Sequence, residues 1–147
     1  MGATITVPAE LVNDIRIGLY TCLADAAEDT SDTAKRRDRE RHPEWFVSAR
    51  AKFERAWGLL DRIGWAEPHR PEPVELEPDA HRRALLDALE VMLLIREDDL
   101  CDDAPVDAER ARRGEPPRFG AAADRVSALR HFADSIGVGD QGSGHDQ

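Results

Sequence analysis

The sequence predicts a mainly α protein, a four-helix bundle of two helical hairpins, and three observations carry that expectation. Apolar residues recur at three- and four-residue steps in four separate stretches, the period that builds one face of a helix. Between the second and third stretches stand Pro68, Pro71, Pro73 and Pro78, a density that forbids a continuous helix and divides the chain into halves. The composition is 41% hydrophobic and 34% charged over 147 residues, against a usual charged share of about 25%, which suits amphipathic helices with wide solvated faces. A chain of this length is about one domain and buries roughly 70% of its unfolded surface, enough for a core.

The first element is Thr4-Ile5-Thr6-Val7, a β-branched alternating run that reads as a short strand, with Pro8 at a first-turn position of the helix that follows. From Pro8 to about Asp29, Leu11, Ile15, Leu19, Cys22, Leu23 and Ala26 form one stripe; Gly18 weakens the helix by about 1 kcal/mol and leaves room for a close crossing. Thr30 to Thr33 breaks the rhythm, and Lys35 to Arg41 is a polar, mostly basic connection. After Pro43 the residues Phe46, Ala49, Phe53, Ala56, Trp57, Leu60 and Ile63 make the cleanest stripe, Gly64 is placed to end it, and Trp65 is expected to fold back on the last turn. Residues 66 to 78 are a linker, within which Val74 to Glu77 reads as a second strand, paired in a small β ribbon as 4–7 with 74–77.

Asp79 opens the third long helix, with Ala84, Leu85, Ala88, Leu89, Met92, Leu93 and Ile95 as its buried stripe and an expected end near Cys101. Asp102 to Pro105 then reads as a turn, Asp107 to Arg113 as a helical turn or two, and Gly114 with Pro116-Pro117 as a break. The last helix is expected from about Arg118 to Ile136 on Phe119, Ala122, Val126, Leu129, Ala133 and Ile136, closed by Gly137. One helical domain over 1–137, with halves 4–64 and 74–137, is then followed by a flexible tail, 138–147. The halves share one grammar at an offset of 70 residues: Pro8 falls on Pro78, Leu19 on Leu89, Leu23 on Leu93 and Asp29 on Asp99, as a pseudo-twofold repeat would require.

The net charge of −10 opposes binding to a phosphate backbone, so nucleic acid is a poor default partner. No apolar run approaches the ~20 residues that span a bilayer, and the first thirty residues carry Glu10, Asp14, Arg16 and Asp25, so the expected setting is cytoplasmic, without a membrane. Cys22 and Cys101 are too few and too far apart for a disulfide scaffold or a thiolate zinc site, and reduced thiols are expected.

Helical bundles commonly house di-iron sites built from Glu and Glu-x-x-His, yet none of His42, His69, His81, His131 and His145 has Glu three residues earlier. Glu77 and His81 are four apart but flank Pro78, which fits a solvated cap better than a ligand pair. No serine sits in a nucleophile elbow, no glycine-rich phosphate loop is present, and no cofactor is implied. The acids Glu97, Asp98, Asp99, Asp102 and Asp103 lie at an expected helix C-terminus, where they oppose the dipole. Arg110, Arg112 and Arg113, a basic partner or a cation would each compensate them. The segment Ile5-Thr6-Val7-Pro8-Ala9-Glu10-Leu11 resembles the strand-to-helix start of ribbon-helix-helix repressors and antitoxins, which implies a strand that reads DNA. In that resemblance the strand departs from the pattern by offering Thr4 and Thr6 without Arg or Lys, and the first helix is longer.

By subtraction the sequence points to a non-catalytic interaction or regulatory module whose partner is a protein, with a second copy of itself among the choices. Its expected partner surface is Trp45, Trp65, Glu97, Asp98, Asp99, Asp102 and Asp103, the two Trp because they lie at or beyond helix ends where a small core leaves them uncovered. The alternative is a small-molecule or metal-binding helical bundle with enzymatic activity, which requires a polar interior cavity.

Overall fold

The computed structural model describes residues 4–29 and 40–145, with side chains described for 4–28 and 40–137. The break at Thr30 to Thr33 and residues 35–39 of the basic run lie outside the described residues. Among the described residues the protein is mainly α, with four helices and one two-stranded antiparallel sheet. In chain order these are β1 (Ile5–Val7), α1 (Ala9–Asp29), α2 (Pro43–Ile63), β2 (Val74–Leu76), α3 (Pro78–Arg112) and α4 (Gly120–His145). The chain forms two compact units, Met1–Ala88 and Leu89–Gln147, so that α3 contributes its first turns to one and the remainder to the other.

In the first unit α1 packs on α2 as a helical hairpin. Leu11, Val12, Ile15, Leu19, Cys22 and Ala26 are buried from α1, and Ala56, Leu59 and Leu60 from α2. Pro43 stands at the start of α2, where its missing N–H costs nothing. Gly64 ends α2 as expected: at φ 99° it adopts a backbone that side chains with a Cβ avoid, and its N–H donates to the Leu60 carbonyl at 2.8 Å. The buried Arg16 completes that terminus from α1. Its Nε donates to the Gly64 carbonyl at 2.9 Å and Nη2 to that of Ile63 at 3.3 Å, so a cation satisfies orphan carbonyls at the negative end of a helix.

The expected ribbon forms, and its strands run antiparallel, with Ile5 opposite Leu76, Thr6 opposite Glu75 and Val7 opposite Val74. Ile5, Val7 and Leu76 face inward while Thr6 and Glu75 face water, the alternation of a half-buried strand. Arg62 of α2 anchors β2 by donating to the Glu75 carbonyl at 2.7 Å. This register is the one an offset of 70 requires, since exchanging each residue with its counterpart turns the pair Ile5–Leu76 into Glu75–Thr6. The burial pattern follows the same offset: Ile15 and Leu85, Gly18 and Ala88, Leu19 and Leu89, and Cys22 and Met92 are all buried.

Two helix ends differ from the sequence expectation. Helix α3 does not stop near Cys101; it runs through Pro105 to Arg112, absorbing the expected turn at Asp102 to Pro105. Proline inside a helix removes one hydrogen bond and crowds the preceding turn, a cost of about 3 kcal/mol. The far end of α3 offsets it by tying down the return of the chain. Asp107 accepts from the backbone N–H of Arg118 at 2.8 Å and of Phe119 at 3.1 Å, Arg110 donates to the Pro116 carbonyl at 2.8 Å and pairs with Glu115, and Gly114 turns at φ 75°. Helix α4 likewise passes Gly137 and continues to His145. Glycine stops a helix by entering the left-handed region, and among the described residues only Gly64 and Gly114 do so.

Asp107 ties down the two residues that lead into α4, accepting from their backbone N–H groups across the turn between the helices. Replacing it with Ala removes two hydrogen bonds to a charged group and is expected to cost about 1–2 kcal/mol, and amide exchange should accelerate at Arg118 and Phe119 before it does at the buried Leu129. Asp107→Asn, which keeps one acceptor, should recover part of the loss.

Two residues of the expected core stripes are exposed instead. Trp57 lies one position past the buried Ala56, about 100° round the helix, and is 47% exposed; Ile95 is 40% exposed beside the still more exposed Leu94. The buried side of α2 is centred on Ala56, Leu59 and Leu60, which is one edge of the apolar stripe rather than its middle.

Candidate interaction surface

The hairpin α1–α2 assembles four aromatic side chains along one face. Trp57 meets Trp65 edge to face with centroids 4.7 Å apart, Phe53 lies 5.8 Å from Trp57 one turn earlier on α2, and Tyr20 of α1 lies 6.2 Å from Trp65. Local structure explains each position. Phe53 and Trp57 are four apart on one helix, so they are neighbours on its surface. The left-handed turn at Gly64 reverses the chain and sends Trp65 back over the last turn of α2, where its Nε1 donates to Asp61 Oδ1 at 2.7 Å. Tyr20 comes with Ile17 and Ala24 in a second, narrower apolar stripe beside the buried one.

These rings hold one another yet stay wet. Tyr20 is 39% exposed, Trp57 47% and Trp65 36%, and Ile17 beside Tyr20 is exposed as well. Edge-to-face and offset aromatic pairs are worth about 0.5–1.5 kcal/mol beyond area burial, so the cluster is ordered before anything covers it. Trp45 stands apart, near the start of α2, stacked on the His42 imidazole at 3.8 Å and more exposed than any of the cluster, with exposed Val47 close by in the chain.

Of the expected surface residues, the structure thus brings Trp65 into a cluster, leaves Trp45 outside it, and puts all five acids in the second unit. Because α3 continues to Arg112, these acids sit in mid-helix rather than at a C-terminus, and the dipole conflict that singled them out disappears; Arg110 and Arg112 occupy the last turn. Nor do they share one face. Consecutive Glu97, Asp98 and Asp99 point about 100° apart, and the pairs three or four residues apart are Asp98 with Asp102 and Asp99 with Asp102 and Asp103. Glu97 pairs with Arg130 of α4, while Asp99, Asp102 and Asp103 line a shallow concavity of about 230 Å³ with Arg96 and Ala122. Arg110 pairs with Glu115, and Arg112 and Arg113 with Glu109, so the expected arginine partners serve other carboxylates. A second concavity of about 390 Å³ lies over Leu100, Ala104, Pro117 and Phe119, almost wholly apolar.

Sequence reasoning missed Trp57, Tyr20 and Phe53 as surface residues because it assigned Phe53 and Trp57 to the core stripe of α2 and read α1 for its widest stripe alone. A signal was present: Gly64 between Trp57 and Trp65 marks a reversal that brings the second indole back toward the first.

Among the described residues no three His, Cys, Asp or Glu side chains converge as metal ligands would. Cys22 is buried and Cys101 exposed, both as free thiols. The His81 imidazole is held below its ordinary pKa, first by burial and then by the Arg62 guanidinium, while the Glu77 carboxylate works in the opposite direction. The outer face of the ribbon presents Thr6 and Glu75 and no cation, unlike the DNA-reading strand that the resemblance at Ile5 to Leu11 implies. Among the described residues no helix is long and apolar enough to cross a membrane.

What the fold and this surface define is a class, a mainly α protein of two helical units with an aromatic face on the first. No protein-family model matches the chain, and no curated protein or solved structure is similar to it.

Proposed function

We propose that this chain is a non-catalytic helical interaction module that binds another protein through the aromatic face of its first hairpin. One observation carries the reading: Tyr20, Trp57 and Trp65 touch one another in series and each keeps more than a third of its surface in water. Scattered exposed apolar residues need no explanation, whereas a contiguous aromatic patch is what partner surfaces present. Tyr and Trp dominate the binding energy of interfaces because they bury a large area for little lost rotamer freedom. Completing the burial of one such side chain yields about 1.5–3 kcal/mol.

The test is comparative capture from the native cell with the full chain and with a Trp57→Ser/Trp65→Ser variant. A partner recovered by the first and depleted roughly thirtyfold or more by the second is expected, as loss of a ~2 kcal/mol hot spot requires. Identical recoveries would refute the reading. Light scattering of both proteins over a range of concentrations shows whether the partner is a second copy.

A further inference from the structure

We infer that the occupant of this aromatic face is an arginine-bearing apolar segment of another protein, its guanidinium lying over an indole ring and pairing with Asp61. The inference rests on the interaction reading above and adds the chemistry of the partner.

The face carries a built-in carboxylate. Asp61 is exposed, and its Oδ1 accepts from Trp65 Nε1 at 2.7 Å, which fixes a negative charge at the edge of the indole pair. Of the two acids that stand three and four residues from Trp57 on α2, Glu54 is paired with Arg50, and Asp61 lies at the indole edge. Four of the five cations on α1 and α2 are committed: Arg16 to the carbonyls of Ile63 and Gly64, Arg62 to that of Glu75, Arg55 to Asp87, and Arg50 to Glu54; the fifth, Lys52, is five residues from Trp57, about 140° round the helix. Exposed Glu28 extends the Ile17, Tyr20, Ala24 stripe of α1, and exposed Glu67 follows Trp65. The surface is therefore aromatic in the middle and acidic around it.

Aromatic faces carry negative quadrupole potential, so rings beside the Asp61 carboxylate favour a cation twice over. Arginine suits this arrangement better than lysine, because a planar guanidinium stacks on an indole while its edge donates to a carboxylate in the same plane. The remaining aromatic area, on Phe53 and Tyr20, calls for apolar side chains next to that arginine. A second copy bound face to face about a twofold axis would instead oppose the same acids to themselves.

The test is selection of a dodecapeptide display library on the full chain, with counter-selection on the Trp57→Ser/Trp65→Ser variant, whose retained helix content is checked by circular dichroism. Enriched peptides are expected to carry Arg beside apolar residues, and a synthetic representative should change the tryptophan fluorescence of the full chain. Asp61→Asn keeps an acceptor for Trp65 Nε1 while removing the charge, and it should weaken that peptide roughly tenfold, as should replacing the peptide's Arg with Gln. The two losses should not add. Face-dependent peptides without a cation, or binding unchanged by Asp61→Asn, would overturn the inference and leave the interaction reading standing. A chain that selects no face-dependent peptide also overturns it, and the capture experiment then decides the interaction reading by itself. A dimer dissolved by the Trp57→Ser/Trp65→Ser change would replace the inferred partner with a second copy.

Discussion

Leu59→Ala is expected to destabilise the protein by about 3–4 kcal/mol and to lower its thermal midpoint by roughly 10 °C. Leu59 is fully buried beside Leu60 on the core side of α2, in the helix that packs along α1. Removing its three terminal carbon atoms forfeits their transfer free energy and leaves a void that a close-packed interior fills only in part. Alanine is the better helix former, so propensity acts slightly in the other direction and the measured loss is packing. Leu59→Met, which keeps the volume, should cost less than about 1.5 kcal/mol. Val47→Ala on the same helix, at a position 65% exposed, should stay within about 0.5 kcal/mol. Urea unfolding of the three variants checks the order; equal losses at positions 47 and 59 would contradict the burial assigned to α2.

Asp87→Ala should cost about 2–3 kcal/mol by a different route. The Asp87 carboxylate is buried at the start of α3 and accepts through Oδ2 from Arg55 Nε at 3.1 Å and Nη2 at 3.0 Å, while Arg83, one turn earlier, approaches Oδ1 at 3.4 Å. Removing one member of a buried pair leaves the other charge uncompensated, which costs about 3–5 kcal/mol when both are fully buried. The Arg55 side chain retains 34% exposure and regains water, which places the effect below that range. Replacing both partners, Arg55→Met with Asp87→Leu, should recover most of the loss, because two apolar side chains need no partner. A double-mutant cycle measured by chemical denaturation reads the coupling, expected at about 1–3 kcal/mol. A coupling near zero would show that Asp87 acts through its volume alone.

The candidate surface was half legible before the structure. Trp65 could be placed beyond the end of α2 because Gly64 is a strong local stop, and its exposure follows from that position. Trp57 could not, since an apolar stripe wider than the buried arc contains core and surface positions alike, and periodicity does not say where the arc is centred. The acids from Glu97 to Asp103 drew attention through a helix end that does not exist: Pro105 looks like a terminator locally, yet the helix runs past it to a far end held by the contacts of Asp107 and Arg110.

Sequence alone determined the elements whose causes are local: the four helices from their apolar periods, the stop at Gly64 from a residue free to take a left-handed backbone, and the pairing of Ile5 to Val7 with Val74 to Leu76 from alternation and matched spacing. Tertiary structure decided which edge of each stripe is buried, how far α3 continues through its proline, and that Tyr20, Phe53, Trp57 and Trp65 form one face. The division has a physical reason. Backbone preference and periodicity act over a few residues and can be summed along the chain, whereas burial depends on where the neighbouring helix lies, which no single segment encodes.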